Sequence, residues 1–100
     1  MESIAMTRIL SIHAHPDDAE ILAGGTLARL SQLGHELTIV TMTPGDCGSS
    51  EFSAEEVASM RRREADAAAR LIGARYICAE FRDLAIFNHD AARRQVCEVL

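Results

Sequence analysis

The hundred-residue sequence lacks an excess of positive charge and contains few aromatic residues. Its formal net charge is −5, and its only aromatic residues are one tyrosine and three phenylalanines. Because an acidic surface does not attract the phosphates of a nucleic acid, we expect no nucleic-acid partner. With so few aromatic side chains, the core must consist mainly of Leu, Ile, Val, Ala and Met.

The sequence also lacks long apolar runs and closely spaced cysteines. No run approaches the roughly 20 apolar residues of a membrane span, and no secretory signal precedes the first strand, so we expect a cytoplasmic protein without a membrane span. Cys47, Cys78 and Cys97 form no CxxC pair, which predicts reduced thiols rather than disulfides or a thiolate zinc site. Their sequence neighbours place Cys78 and Cys97 in the core, and Cys47 in a polar loop where it could react.

Apolar periodicity divides the chain into alternating strands and helices. Strands are predicted at 7–14, 36–42 and 75–79, and helices at 18–33, 54–72 and 90–100. Ser53 and Glu56 form a capping box before the second helix. This order predicts an α/β fold, a Rossmann-like parallel sheet with flanking helices, in a single domain. Because no C-terminal capping signal ends the last helix, we expect residues 1–100 to be the N-terminal portion of that domain.

The segment HAHPDDAE, His13 to Glu20, concentrates ionisable side chains just after the first predicted strand. Ligands of such sheets gather outside the carboxyl ends of the strands. The H-x-x-D spacing of His15 and Asp18 allows a nitrogen and an oxygen to approach one ion, and these donors suit zinc. Asp17, between them, is a candidate general base for hydrolysis. The spacing alone leaves open the simpler explanation that the two aspartates cap the following helix.

Other residues near this segment are also informative. We expect His13, inside the strand, to be a packing residue, whereas His89 lies on the side of the sheet from which it could approach the site. Gly24 and Gly25 fall within the first predicted helix, where each costs about 1 kcal/mol relative to alanine. Their presence predicts a close approach of the helix backbone to the sheet or to a ligand.

Four segments occur in a characteristic order along the chain. They are AHPDDAEILAGGTLARL (14–30), VTMTPGDCGS (40–49), RRREADAAARLIGA (61–74) and FRDLAIFN (81–88). Together they resemble the LmbE-like, or GlcNAc-phosphatidylinositol de-N-acetylase (PIG-L), family of zinc-dependent deacetylases. The resemblance implies a Rossmann-type α/β enzyme that uses Zn²⁺ to remove an acetyl or other acyl group from a small-molecule amino-sugar substrate.

Carried over residue by residue, the resemblance makes His15 and Asp18 zinc ligands. It makes Asp17 the base that activates water, Arg61 a residue that holds the sugar, and Asp83 an acceptor for a sugar hydroxyl. Simpler roles remain open for the last two, because Arg61 could form an ordinary ion pair along its helix and Asp83 could be a turn residue.

The sequence departs from the family pattern in two places. Ala19 separates the aspartate pair from Glu20, so Glu20 is not assigned to the site. The family's third metal ligand and a second catalytic histidine come from a later His-x-x-His segment, which is absent from these residues. Catalytic zinc sites usually have three protein ligands, so residues 1–100 alone are expected to bind metal weakly and to lack activity.

The sequence therefore predicts a zinc-dependent N-deacetylase of amino sugars or glycosides, with homo-oligomerisation left open. One alternative is a metal-dependent phosphoesterase, because histidine and carboxylate sites also hydrolyse phosphate esters. The other is a noncatalytic nucleotide- or phosphate-binding domain in which Gly45 and Gly48 form an anion nest. The loop TPGDCGSS matches neither the GxGxxG nor the Walker pattern, and Asp46 would repel phosphate.

Overall fold

The computed structural model describes residues 5–47 and 49–100. Strands and helices alternate along them in the order β1 (Arg8–His13), α1 (Asp18–Gln32), β2 (Glu36–Thr41), α2 (Ala54–Leu71), β3 (Arg75–Cys78) and α3 (Asp90–Val99). All six predicted elements are confirmed, and no boundary differs from its prediction by more than one residue. Within the described part of the chain, no helix has the length and apolar character needed to cross a membrane.

The strands form a parallel sheet in the order β1-β2-β3, which confirms the predicted α/β fold. The register places His13 opposite Thr41, and Thr41 opposite Cys78. Because all three strands run in the same direction and end at the same level, the loops that follow them leave from one edge of the sheet. This edge brings together the HPDD turn, the TPGDC loop and the FRD loop, which are far apart in sequence.

Side chains alternate between the two faces of the sheet, and each face has its own core. The core that packs against α1 and α2 contains Ala19, Leu27, Leu37, Ile39, Ala69 and Ala74. The core that packs against α3 contains Val40, Ala79, Phe81 and Ala92. Helices therefore cover both faces of the sheet, as expected for a Rossmann-like fold.

In helix α1, the surroundings of two apolar residues and two glycines differ from those that the sequence pattern indicates. Ile21 and Leu22 are 76% and 78% exposed, although they belong to the apolar pattern that predicted the helix. A β-carbon built on Gly24 would lie 4.0 Å from the nearest atom, the carbonyl oxygen of Ala19, and one built on Gly25 would meet open space. The predicted close approach of the helix backbone to the sheet is therefore wrong for the described residues, and an approach to a ligand stays a prediction.

The three cysteines are free thiols, as predicted. Cys97 is exposed, so its predicted place in the core is wrong; the residues of α3 that pack on the sheet are Ala92, Val96 and Val99 instead. Cys78 is half-buried, and this burial raises the pKa of its thiol. Cys47 is exposed in the loop after β2, as expected.

Candidate functional site

The turn between β1 and α1 holds Asp17 in a left-handed backbone conformation, with φ of 80°. Asp17 occupies the N-cap position of α1, but its side chain forms no capping hydrogen bond and is 64% exposed. Left-handed backbone at a residue other than glycine costs about 1 kcal/mol or more and is concentrated at functional sites. Helix capping by its side chain therefore does not account for Asp17.

His15 lies between two carboxylates from different loops. Asp18 Oδ2 accepts a hydrogen bond from the His15 backbone N–H at 2.9 Å and lies 3.7 Å from His15 Nδ1. The other ring nitrogen, Nε2, lies 2.9 Å from Oδ1 of Asp83, which follows β3. The Asp83 side chain is only 10% exposed, against 41% for His15. The structure thus places Asp83 next to the histidine that the sequence predicted as a metal ligand.

This arrangement fits a zinc ion at His15 Nδ1 and Asp18 Oδ2. Two ligand atoms about 2 Å from a tetrahedral zinc lie roughly 3.3 Å apart, which is close to the observed separation of 3.7 Å. A metal-binding imidazole commonly donates its second N–H to a carboxylate, and the position of Asp83 suits that role. The local donor set is therefore compatible with the predicted cofactor.

Arg61, on α2, connects the loops that follow β1 and β2. Its Nη2 donates a hydrogen bond to the Pro16 carbonyl at 2.9 Å, and its Nη1 donates to the Gly45 carbonyl at 3.2 Å. Nη2 also lies 3.8 Å from Asp17 Oδ2. Within the described residues, the ion-pair partner of Arg61 is thus an acid of the neighbouring loop rather than one of its own helix. The structure therefore brings together Arg61 and Asp17, two residues that the sequence predicted separately for the site.

A cleft of about 250 Å³ opens beside Arg61 and Asp17. Its lining residues are Pro16, Asp17, Glu20, Arg61, Glu64, Ala65 and Ala68. The cleft is slightly smaller than most small-molecule sites, and its walls combine one guanidinium with several carboxylates. Of the predicted site residues, Asp17 and Arg61 line this cleft, whereas His15, Asp18 and Asp83 do not.

The loop after β2 adds residues that the sequence pattern did not indicate as part of a site. Asp46 Oδ1 accepts a hydrogen bond from the Asp83 backbone N–H at 2.8 Å, and the Asp46 side chain is 10% exposed. Cys47 Sγ donates to the Asp83 carbonyl at 3.6 Å. Ligand atoms of Asp46, Cys47 and Asp83 lie within 4.8 Å of one another. The sequence could have indicated these residues only through their position. The TPGDC loop follows a parallel strand, so it leaves the sheet at the same edge as the HPDD turn.

Two other histidines have structural partners. His13 Nε2 lies 2.6 Å from the Ser11 hydroxyl on the same strand, in agreement with a packing role. His89 caps α3, where its Nδ1 accepts the Ala92 backbone N–H at 3.1 Å, so its ring is used at a helix end instead of in the site. Gly48, one of the two glycines considered for an anion nest, lies outside the described residues.

Comparison with known proteins reveals related sequences. Residues 10–100 match the family model described as PIG-L, GlcNAc-PI de-N-acetylase. The chain is 42% identical over 82 residues to 1D-myo-inositol 2-acetamido-2-deoxy-alpha-D-glucopyranoside deacetylase of Actinosynnema mirum, covering 82% of this chain and 26% of that protein. It is 30% identical over 96 residues to diacetylchitobiose deacetylase of Thermococcus kodakarensis, covering 93% and 36%.

Solved structures share the fold. N,N'-diacetylchitobiose deacetylase from Pyrococcus horikoshii, in complex with its inhibitor MPG, matches with a TM-score of 0.84 and 34% identity, covering 92% of this chain and 36% of that one. GalB, the 4-carboxy-2-hydroxymuconate hydratase of Pseudomonas putida KT2440, gives a TM-score of 0.83 and 26% identity, covering 94% and 42%. The chain spans between 26% and 42% of the length of these four proteins. Their names include deacetylases and one hydratase.

Proposed function

The chain belongs to the GlcNAc-PI de-N-acetylase (PIG-L) family, and from this premise we propose that it forms part of a zinc-dependent hydrolase that removes an N-acyl group from an amino sugar. The observation that carries the proposal is the His15 ring between Asp18 and Asp83, with the exposed Asp17 carboxylate in the same turn. The deacetylase names of the relatives support the choice of reaction. We further propose that residues 1–100 are the N-terminal portion of one deacetylase domain.

His15 and Asp18 are the proposed zinc ligands, through Nδ1 and a carboxylate oxygen. The His15 backbone N–H fixes the Asp18 carboxylate, and Asp83 fixes the plane of the His15 ring. When bound, zinc polarises an amide carbonyl and makes water more acidic. Because two side chains do not complete a catalytic zinc site, a third ligand is expected from the part of the natural protein that corresponds to the extra length of its relatives.

Asp17 is the proposed general base. Its carboxylate is exposed and lies at the cleft, where an attacking water can reach it. A base in this position takes the proton of the water as the oxygen attacks the amide carbon. The Arg61 guanidinium, which carries the opposite charge, lies 3.8 Å from this carboxylate.

Arg61 and Asp83 are the proposed sugar-binding residues. A guanidinium has five N–H donors, and two of those on Arg61 are used for the carbonyls of Pro16 and Gly45. Within the described part of the chain, the N–H groups of Arg61 that these two carbonyls do not use are the ones proposed to bind the substrate. Asp83 directs Oδ1 to His15, and its other carboxylate oxygen can accept a hydroxyl.

The roles of Asp17 and His15 are separable by substitution in the complete natural protein. Asp17→Asn should retain bound zinc but lose about 10²–10⁴-fold in turnover, the usual contribution of a general base. His15→Ala should lose both zinc and turnover. The measurements are zinc content and acetate release from N-acetylglucosamine conjugates. Near-normal turnover in Asp17→Asn would remove the base assignment.

The same preparations distinguish the other reaction classes. Phosphate release from a generic ester without acetate release would replace the proposal with a phosphoesterase. Water addition to an unsaturated carboxylate without acetate release would favour the reaction named for the hydratase relative. Zinc content that is unchanged in Asp18→Ala, together with nucleotide binding, would favour a noncatalytic domain.

A further inference from the structure

We propose that Gly45 is a positioning residue that sets the location of the Arg61 guanidinium, an inference that rests on the sugar-binding role proposed for Arg61. Gly45 has a φ of +70° and is buried in the loop after β2. A β-carbon built on Gly45 would lie 2.1 Å from Arg61 Nη1 and 2.7 Å from Cζ. The guanidinium therefore occupies the space that any other side chain at position 45 would fill.

The loop, not the arginine, is the fixed partner in this contact. The Gly45 backbone N–H donates a hydrogen bond to Thr43 Oγ1 at 3.0 Å, and Thr43 is 2% exposed. Pro44, between them, is also buried. By contrast, Arg61 reaches Gly45 with the far end of a long side chain, which can rotate. A methyl group at position 45 should therefore displace the guanidinium while the loop and the fold are kept.

The position of the guanidinium matters because it joins two loops of the site. Arg61 donates to the Gly45 carbonyl in the loop after β2 and to the Pro16 carbonyl in the turn after β1. Pro16 directly precedes Asp17, and all three of Pro16, Asp17 and Arg61 line the same cleft. The absence of a side chain at Gly45 thus determines where Arg61 presents its remaining donors to a substrate.

Gly45→Ala in the complete natural protein tests this role, with Gly34→Ala as the matched control. Gly34 has a φ of +92°, and a β-carbon built there has no neighbour within 4 Å. The control therefore introduces comparable backbone strain without a clash. Loss of a charged hydrogen bond to the sugar should raise KM about tenfold in Gly45→Ala and change kcat less than about threefold. Gly34→Ala should change neither constant.

A double-mutant cycle on thermal stability tests the contact without any need for activity. Gly45→Ala should lower Tm more in the natural protein than in an Arg61→Ala background, where no guanidinium is displaced. Additive changes in Tm, or an unchanged KM in an active Gly45→Ala enzyme, would overturn the inference. If no acetate is released by any form, the deacetylase proposal fails, whereas coupled changes in Tm would still support Gly45 as the residue that positions Arg61.

Discussion

Replacing Asp83 with alanine should weaken zinc binding as well as sugar binding. The Asp83 carboxylate lies 2.9 Å from His15 Nε2, on the opposite side of the ring from the nitrogen proposed to bind zinc. Without this partner, the ring is free to rotate and to place its proton on either nitrogen. The substitution therefore acts on the metal site through the orientation of His15.

The expected size of the effect follows from the exposure of the two side chains. Hydrogen bonds to a charged group contribute about 1.5–3 kcal/mol, and loss of the carboxylate behind a metal-binding histidine typically costs 10–100-fold in affinity. Asp83 is 10% exposed, but His15 is 41% exposed, so solvent screens part of the interaction. We therefore expect the lower end of this range, about a tenfold loss of zinc affinity.

The measurement is a competition titration of the complete natural protein against a chromogenic chelator. Asp83→Asn should lose less affinity than Asp83→Ala, because an amide oxygen still accepts the His15 N–H. Asp90→Ala is the control, since Asp90 lies at the exposed start of α3. An unchanged zinc affinity in Asp83→Ala together with a higher KM would refute the orienting role and leave only contact with the sugar.

Two further predictions concern stability. Burial raises the pKa of Tyr76 to about 12 from its ordinary 10.0, although a hydrogen bond with Thr41 opposes the shift. Because the folded protein holds this proton more tightly than the unfolded chain, the free energy of unfolding should be unaffected below pH 10 and should fall between about pH 10 and 12. The ring is only half-buried, so we expect a loss on the order of 1 kcal/mol in denaturant titrations; an equal fall in Tyr76→Phe would contradict this origin. Gly25→Ala should raise the free energy of unfolding by about 0.5–1 kcal/mol, because open space surrounds this interior position of α1. A lower stability in the same titrations would contradict the open space found around Gly25.

Local sequence signals were sufficient to predict the helices and strands. The Ser53 side-chain cap of the predicted capping box is present, with the Glu56 backbone N–H donating to Ser53 Oγ at 3.2 Å, because this interaction involves residues only three positions apart. The Glu56 carboxylate accepts a hydrogen bond from the Ser53 hydroxyl at 3.1 Å instead of from the Ser53 backbone N–H. The alternation of strands and helices likewise predicted the sheet, since parallel strands require long crossover connections. The apolar pattern could not show which residues a second layer covers, and for this reason Cys97 was placed incorrectly in the core.

The contacts within the site depend on loop conformations that the sequence does not specify. Asp83 is 68 residues from His15 and 37 residues from Asp46, yet it is hydrogen-bonded to both. The parallel sheet explains why these residues share an edge. Which donor meets which acceptor depends on left-handed residues in the connections, including Glu80 and Leu84, whose side chains give no turn signal of the kind that glycine or asparagine provides.

The left-handed turn at Asp17 determines which variants can be interpreted. Aspartate and asparagine tolerate a φ of 80° better than alanine does. In an alanine scan, a defect at position 17 would combine the loss of a charge with a rearranged turn, and its cause could not be assigned. Asparagine retains the shape and the backbone preference, so any remaining defect reports on the missing negative charge alone.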